Sequence, residues 1–164
     1  MAKYVIEFIG TFFLVLVAGL TGNPLAIGGV LAVMVYLGGY ISGANYNPAV
    51  SLALWIQKKL SSKDFLVYAA VQLVAGLVAA ATVGFLGDTD MVVTPGDGVS
   101  FWTAFAAEAV FTFALVFTVL NVAFSKKTKD NHYFGLAIGT VVMAGAFAVG
   151  KISGGAYNPA VGIG

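Results

Sequence analysis

Apolar residues run along this chain in long blocks separated by short polar breaks, with neither strand-like alternation nor a one-sided helical stripe. The blocks at 4–20, 25–40, 65–85, 101–124 and 133–149 each approach the roughly 20 residues that a helix needs to cross a bilayer. A helix that is apolar all round has no face to give to water, so each block reads as a membrane-spanning helix. The glycines in 25–40 and 133–149 suit close helix packing in lipid. The breaks carry turn chemistry. Thr21-Gly22-Asn23-Pro24 is a tight turn, and Lys58, Lys59, Ser61, Ser62 and Lys63 form a polar break. The loop 87–100 holds Asp88, Asp90 and Asp97, and the loop 125–131 is basic.

Two of the blocks lead instead into a repeated motif. Residues 41–50 read ISGANYNPAV and residues 152–161 read ISGGAYNPAV. Each copy holds an Asn-Pro-Ala box: Asn47, Pro48 and Ala49, then Asn158, Pro159 and Ala160. Asparagine is a favoured N-cap, and proline fits the first helical position, where its missing amide hydrogen costs nothing. Each box therefore marks a helix start after an irregular, glycine-containing stretch. From Pro48 to the next polar break is about 15 Å of helix, half of a bilayer core, so this piece is expected to enter and leave on one side. At an offset of 111 residues, 25–50 matches 136–161 at 14 of 26 positions, and at 101 Glu7 and Thr11 match Glu108 and Thr112. The chain thus divides into a first repeat at 1–86, a linker at 87–100 and a second repeat at 101–164. Three spans per repeat is an odd number, so the second copy must lie inverted.

Composition narrows the possibilities further. The chain is 60% hydrophobic and 9% charged, against about 25% charged residues in soluble domains. It has no cysteine and no arginine. With the N-terminus in the cytoplasm, Lys3, Lys58, Lys59, Lys63, Lys126, Lys127 and Lys129 all fall inside and only Lys151 falls outside, a clear positive-inside bias. The two boxes then approach the bilayer centre from opposite sides. No nucleophile–base set, phosphate loop or metal-ligand spacing stands out, so no enzyme, cofactor or metal is expected, and no nucleic-acid partner. His132, the single histidine, reads as a solvated loop residue beside the basic loop. A secondary transporter would need ion-binding carboxylates at the midplane, and no acidic residue lies near either box along the sequence.

The doubled Asn-Pro-Ala box, each copy preceded by Ser-Gly-Gly/Ala, resembles the aquaporin or major intrinsic protein family over essentially the whole chain. The resemblance implies an all-α polytopic membrane protein with two re-entrant half-helices, assembled as a homotetramer in a plasma or inner membrane. It implies a passive channel for water and small neutral solutes that excludes ions and protons. The alternatives are a channel chiefly for ammonia, urea or glycerol, or a non-conducting scaffold or adhesion member. The family also has a complete second half-helix and a sixth span, so a chain ending at Gly164 is expected to be part of a longer product.

The resemblance assigns roles residue by residue. Asn47 and Asn158 would cap the half-helices and present amide donors to the lumen. The carbonyls of Gly43, Ala44, Asn45, Gly154, Gly155 and Ala156 would line one side of the pore, with apolar residues such as Leu14 and Leu115 on the other. Glu7 and Glu108, expensive charges at matched places within spans, would accept hydrogen bonds from the irregular loops, with Gln72 also structural. The selectivity filter would be Ile27, Ala146, Gly155 and Val161. Here the chain departs from most of the family, which carries arginine at the position of Val161. The glycerol-facilitator aspartate is also missing, since that position is Gly162. Tyr46 and Tyr157, directly before the asparagines, are large enough to narrow the middle. Trp102 and Trp55 are expected as interfacial anchors.

Overall fold

The computed structural model describes residues 1–87 and 92–164, so Asp88 and Asp90 lie outside the described residues. Among the described residues the fold is all helical: α1 (Ala2–Thr21), α2 (Pro24–Ser42), α3 (Pro48–Ile56), α4 (Ser62–Gly87), α5 (Phe101–Ala123), α6 (Phe134–Ser153) and α7 (Pro159–Ile163), with a 3₁₀ turn at Lys126–Thr128. Five of these helices, α1, α2, α4, α5 and α6, are long and apolar enough to cross a membrane. Their outer faces are apolar: Phe13 on α1, Leu66 and Phe85 on α4, and Phe113 and Phe117 on α5 are all exposed. That is the surface a hydrocarbon solvent requires.

The helix limits follow their caps. Asn23 accepts from the amides of Leu25 and Ala26 and starts α2, and Ser100 accepts from Thr103 and starts α5. Glycines in the left-handed conformation end α2 and α6, Gly43 at φ 89° and Gly154 at φ 92°. Each closes its helix with an N–H to the carbonyl four residues back. That stop comes later than the composition implies for α6. Lys151 to Ser153, beyond the apolar block 133–149, form the last turn of the helix.

Contacts at the helix ends show the inversion. Lys3 at the start of α1 bridges to Asp64 at the start of α4, at 2.7 Å. Ser42 at the end of α2 bonds Glu7 near the start of α1, and Tyr36 donates to the carbonyl of His132, just before α6. These termini therefore share one end of the molecule. At the other end, the carbonyl of Ile152 near the close of α6 accepts from Gly96 before α5. The half-helix α3 departs from the first end and α7 from the second.

At the centre, α2 and α6 touch backbone to backbone. A Cβ on Gly28 would come 2.6 Å from the Gly139 carbonyl and 2.7 Å from the Met143 side chain. Gly28→Ala is expected to force these helices apart and cost about 1–3 kcal/mol, as over-packing does. The variant should show a lower melting temperature in detergent, and an unchanged one would show that the crossing is not tight.

Candidate functional site

The site grows from the two chain breaks. After Gly43 the backbone turns left-handed again at Ala44 (φ 51°) and Tyr46 (φ 52°), and in the second copy at Gly155 (φ 70°) and Tyr157 (φ 46°). Non-glycine residues adopt this region only at a cost of about 1–3 kcal/mol each, when their surroundings over-determine it. Here the surroundings are two carboxylates. Glu7, fully buried, accepts from Ser42 Oγ at 2.7 Å, the amides of Asn45 at 3.0 Å and Tyr46 at 2.8 Å, and Gln72 Nε2 at 2.8 Å. Glu108, half-buried, accepts from Ser153 Oγ at 2.6 Å and the amides of Ala156 at 3.1 Å and Tyr157 at 2.7 Å. Ser42 and Ser153 then accept from the amides of Ala44 and Gly155.

The first network is the larger. Gln72 also donates to Ser51 Oγ at 3.0 Å, Asn45 Nδ2 donates to the same oxygen, and Tyr68 donates to the Ser42 carbonyl at 2.7 Å. Sequence reasoning missed Ser42, Ser51, Tyr68 and Ser153 as partners. Ser42 and Ser153 were visible as an identical pair in the repeat. Ser51 was not, because its counterpart is Gly162, and nothing in the local pattern marks Tyr68.

With the loops held, the two boxes meet. Asn47 Oδ1 accepts from the amide of Ala49 at 2.8 Å and caps α3, while Asn158 Oδ1 accepts from Ala160 at 2.9 Å and caps α7. Each carboxamide also reaches across. Asn47 Nδ2 donates to the Tyr157 carbonyl at 2.8 Å, and Asn158 Nδ2 donates to the Tyr46 carbonyl at 2.9 Å. An amide nitrogen carries two hydrogens, so one on each asparagine is left for another acceptor. Pro48, Ala49, Pro159 and Ala160 form the first turns of the half-helices.

Around this centre lies a cavity of about 800 Å³. Asn47 and Asn158 line it, as do Ile27, Ala146, Gly155 and Val161. Ala44, Asn45, Gly154 and Ala156 contribute irregular backbone. Gly43 does not line it: it is exposed at the end of α2, where its amide is used to close the helix. Aliphatic Leu14, Leu31, Leu115, Val119, Ile138 and Val142 also line it, with the aromatic Phe147 and Tyr157. Lys151 is the one charged residue among the described lining. The lining thus combines carboxamide groups and irregular backbone with a majority of apolar side chains.

Tyr46 is corrected by the structure. Its ring lies between Gly10 and Gly38, where added Cβ atoms would overlap it, and its hydroxyl donates to the Met34 carbonyl at 2.9 Å. It packs behind the lumen and does not narrow it. Trp102 is exposed, and Trp55 stacks on Phe65 and donates to Ser62 Oγ. The side chain of His132 is exposed in the loop before α6.

Comparisons with known proteins agree with this geometry. The profile of the Major intrinsic protein family matches residues 17–164. Aquaporin AqpM of Methanothermobacter thermautotrophicus is 32% identical over 200 aligned residues, covering 96% of this chain and 79% of that protein. The glycerol uptake facilitator protein-like 6 of Lactiplantibacillus plantarum is 34% identical over 184, covering 100% of this chain and 82% of its own length. The X-ray structure of the aquaglyceroporin from Plasmodium falciparum superposes with a TM-score of 0.83 at 23% identity, covering 99% of this chain and 78% of that one, and so shares the fold.

Proposed function

The chain belongs to the major intrinsic protein family, and on that premise we propose that its central cavity is a passive conduit for water and small neutral solutes that excludes ions and protons. The observation that carries this reading is the reciprocal pair of bonds from Asn47 and Asn158 that ties the two boxes together beside the cavity. They join two half-helix starts at one point and leave a carboxamide hydrogen on each side for a passing oxygen. Most of the other lining side chains are apolar, so a solute finds few polar groups to replace its hydration. Such a channel makes and breaks no covalent bond.

The rest of the reading follows from the same frame. The repeats are 1–86 and 101–164 with 87–100 between them, and the lysine-rich end faces the cytoplasm. The protein is a multi-pass membrane protein that assembles as a homotetramer, each copy with its own conduit. The filter of Ile27, Ala146, Gly155 and Val161 presents no side-chain donor and little bulk. Pore width and lining polarity decide which neutral molecules enter, a rule drawn in part from aquaporin-type pores themselves. This filter therefore admits ammonia, urea or glycerol beside water. The names of two relatives, a glycerol uptake facilitator-like protein and an aquaglyceroporin, support that direction.

The test is the full-length protein in proteoliposomes, followed by stopped-flow light scattering under water and solute gradients, with a pH-sensitive dye inside. Water and at least one of the three solutes should cross faster than in protein-free vesicles, with no added proton flux. Transport at the protein-free rate, or a proton leak that scales with protein, overturns the proposal. Sedimentation in mild detergent as a monomer only would remove the tetramer.

A further inference from the structure

The two irregular loops are matched in sequence but not in cover. Gly43 is exposed, and a Cβ on it would meet only the Asn45 side chain, at 3.6 Å. Its counterpart Gly154 is half-buried. A Cβ there would stand 2.8 Å from the Val93 side chain and 3.0 Å from the Thr94 carbonyl. The linker between the repeats therefore lies directly on the second loop. It is pinned a second time at Gly96, whose amide donates to the Ile152 carbonyl at 3.1 Å. A Cβ on Gly96 would overlap the Lys151 carbonyl, so only a glycine allows this approach.

What the linker brings to the cavity is apolar. Val93 packs against the cluster of Val15, Ala79 and Val161. It is only half-buried, and it lines the central cavity together with Val161 and Gly155. Part of its side chain is thus held by packing, and the rest stays open to what the cavity holds. Gly155 has no side chain of its own, so bulk beside it has to come from another segment. Val93, seated on the adjacent Gly154, supplies it. The first repeat has no equivalent, because nothing from a linker reaches Gly43 among the described residues.

We propose that Val93 is a further specificity-determining residue of the filter, delivered by the linker, which sets the width of the conduit beside Val161 and the bare Gly155. It acts by size and apolarity. A neutral solute too long to pass the valine is refused, and the side chain offers no donor or acceptor to replace lost hydration. Backbone contacts at Thr94 and Gly96 also hold the linker in place, so the side chain at 93 can change in size while the linker stays docked. The assignment rests on the channel reading above.

The experiment compares the full-length protein with Val93→Phe, Val93→Ala and Gly96→Ala in proteoliposomes. Water, glycerol and the longer polyol erythritol are measured on the same vesicles, with melting temperature as the control for folding. Val93→Phe should lower the glycerol-to-water permeability ratio about fivefold, and Val93→Ala should raise the erythritol-to-water ratio by about as much. Gly96→Ala, which pushes the linker off its seat, should follow Val93→Ala although residue 93 is unchanged. If the wild type passes water alone, Val93→Ala should open it to glycerol. Should Val93→Phe fail to fold, Val93→Ala decides by itself. Folded position-93 variants that keep the parent's ratios, or that both shift them in one direction, overturn the Val93 assignment while the channel reading stands. Wild-type vesicles no faster than protein-free ones to any of these molecules overturn the channel reading, and this assignment with it.

Discussion

Glu7→Ala is expected to cost the full-length protein most of its stability, and Glu108→Ala distinctly less. The Glu7 carboxylate is fully buried and accepts from four donors, two of them the amides that hold the left-handed turn before Asn47. A buried donor stripped of its acceptor costs about 1–3 kcal/mol. Even with neighbouring groups relaxing, the total should be on the order of 4 kcal/mol or more, set against the roughly 5–15 kcal/mol by which folded proteins are stable. The turn strain at Ala44 and Tyr46 would then also be released. Glu108 accepts from three donors and is only half-buried, so water can replace part of what it supplies. Glu7→Gln, which keeps one acceptor oxygen, should fall between wild type and Glu7→Ala. Thermal unfolding in detergent, read by circular dichroism, gives the order. If Glu108→Ala proves the less stable of the two alanine variants, the first network is not the anchor of the fold.

The sequence pattern carried the long helices, the half-helix starts and the inversion because each depends on a local rule: block length, an Asn-Pro start, an odd number of spans. Leu14 and Leu115, matched only through the repeat, both line the cavity. What the pattern could not show depends on distance across the fold. Tyr68 bonds the Ser42 carbonyl from 26 residues away, and Gln72 reaches Glu7 over 65. The differing placement of Tyr46 and Tyr157 was hidden for another reason. The two boxes are nearly identical as text, and the asymmetry lies in the partners, glycine at 10 and 38 against Phe111 and Val149. Residue size at the motif alone says that a tyrosine narrows a pore. Only the space beside it says which way the ring goes.

Val161→Arg should convert the filter from permissive to strict. Val161 lies in α7, buried and among the residues that line the cavity. Arginine there adds volume and five N–H donors in a planar fork that stays charged. Both changes act on solutes larger than water, since the guanidinium narrows the passage and holds water in place of a solute. Glycerol permeability is expected to fall tenfold or more relative to water, about 1.4 kcal/mol of added barrier. The fixed positive charge should also lower any proton leak below that of the parent, in which the half-helix starts and Lys151 in the lining oppose it, as expected for aquaporin-type pores. Val161 also packs with Val15 and Ala79 in a small apolar cluster, so the charged side chain is expected to cost some thermal stability. Parent and Val161→Arg are compared in proteoliposomes for glycerol, water and proton flux, with melting temperature as the control for folding. A well-folded variant with the parent's glycerol-to-water ratio would show that position 161 does not set the width of the conduit.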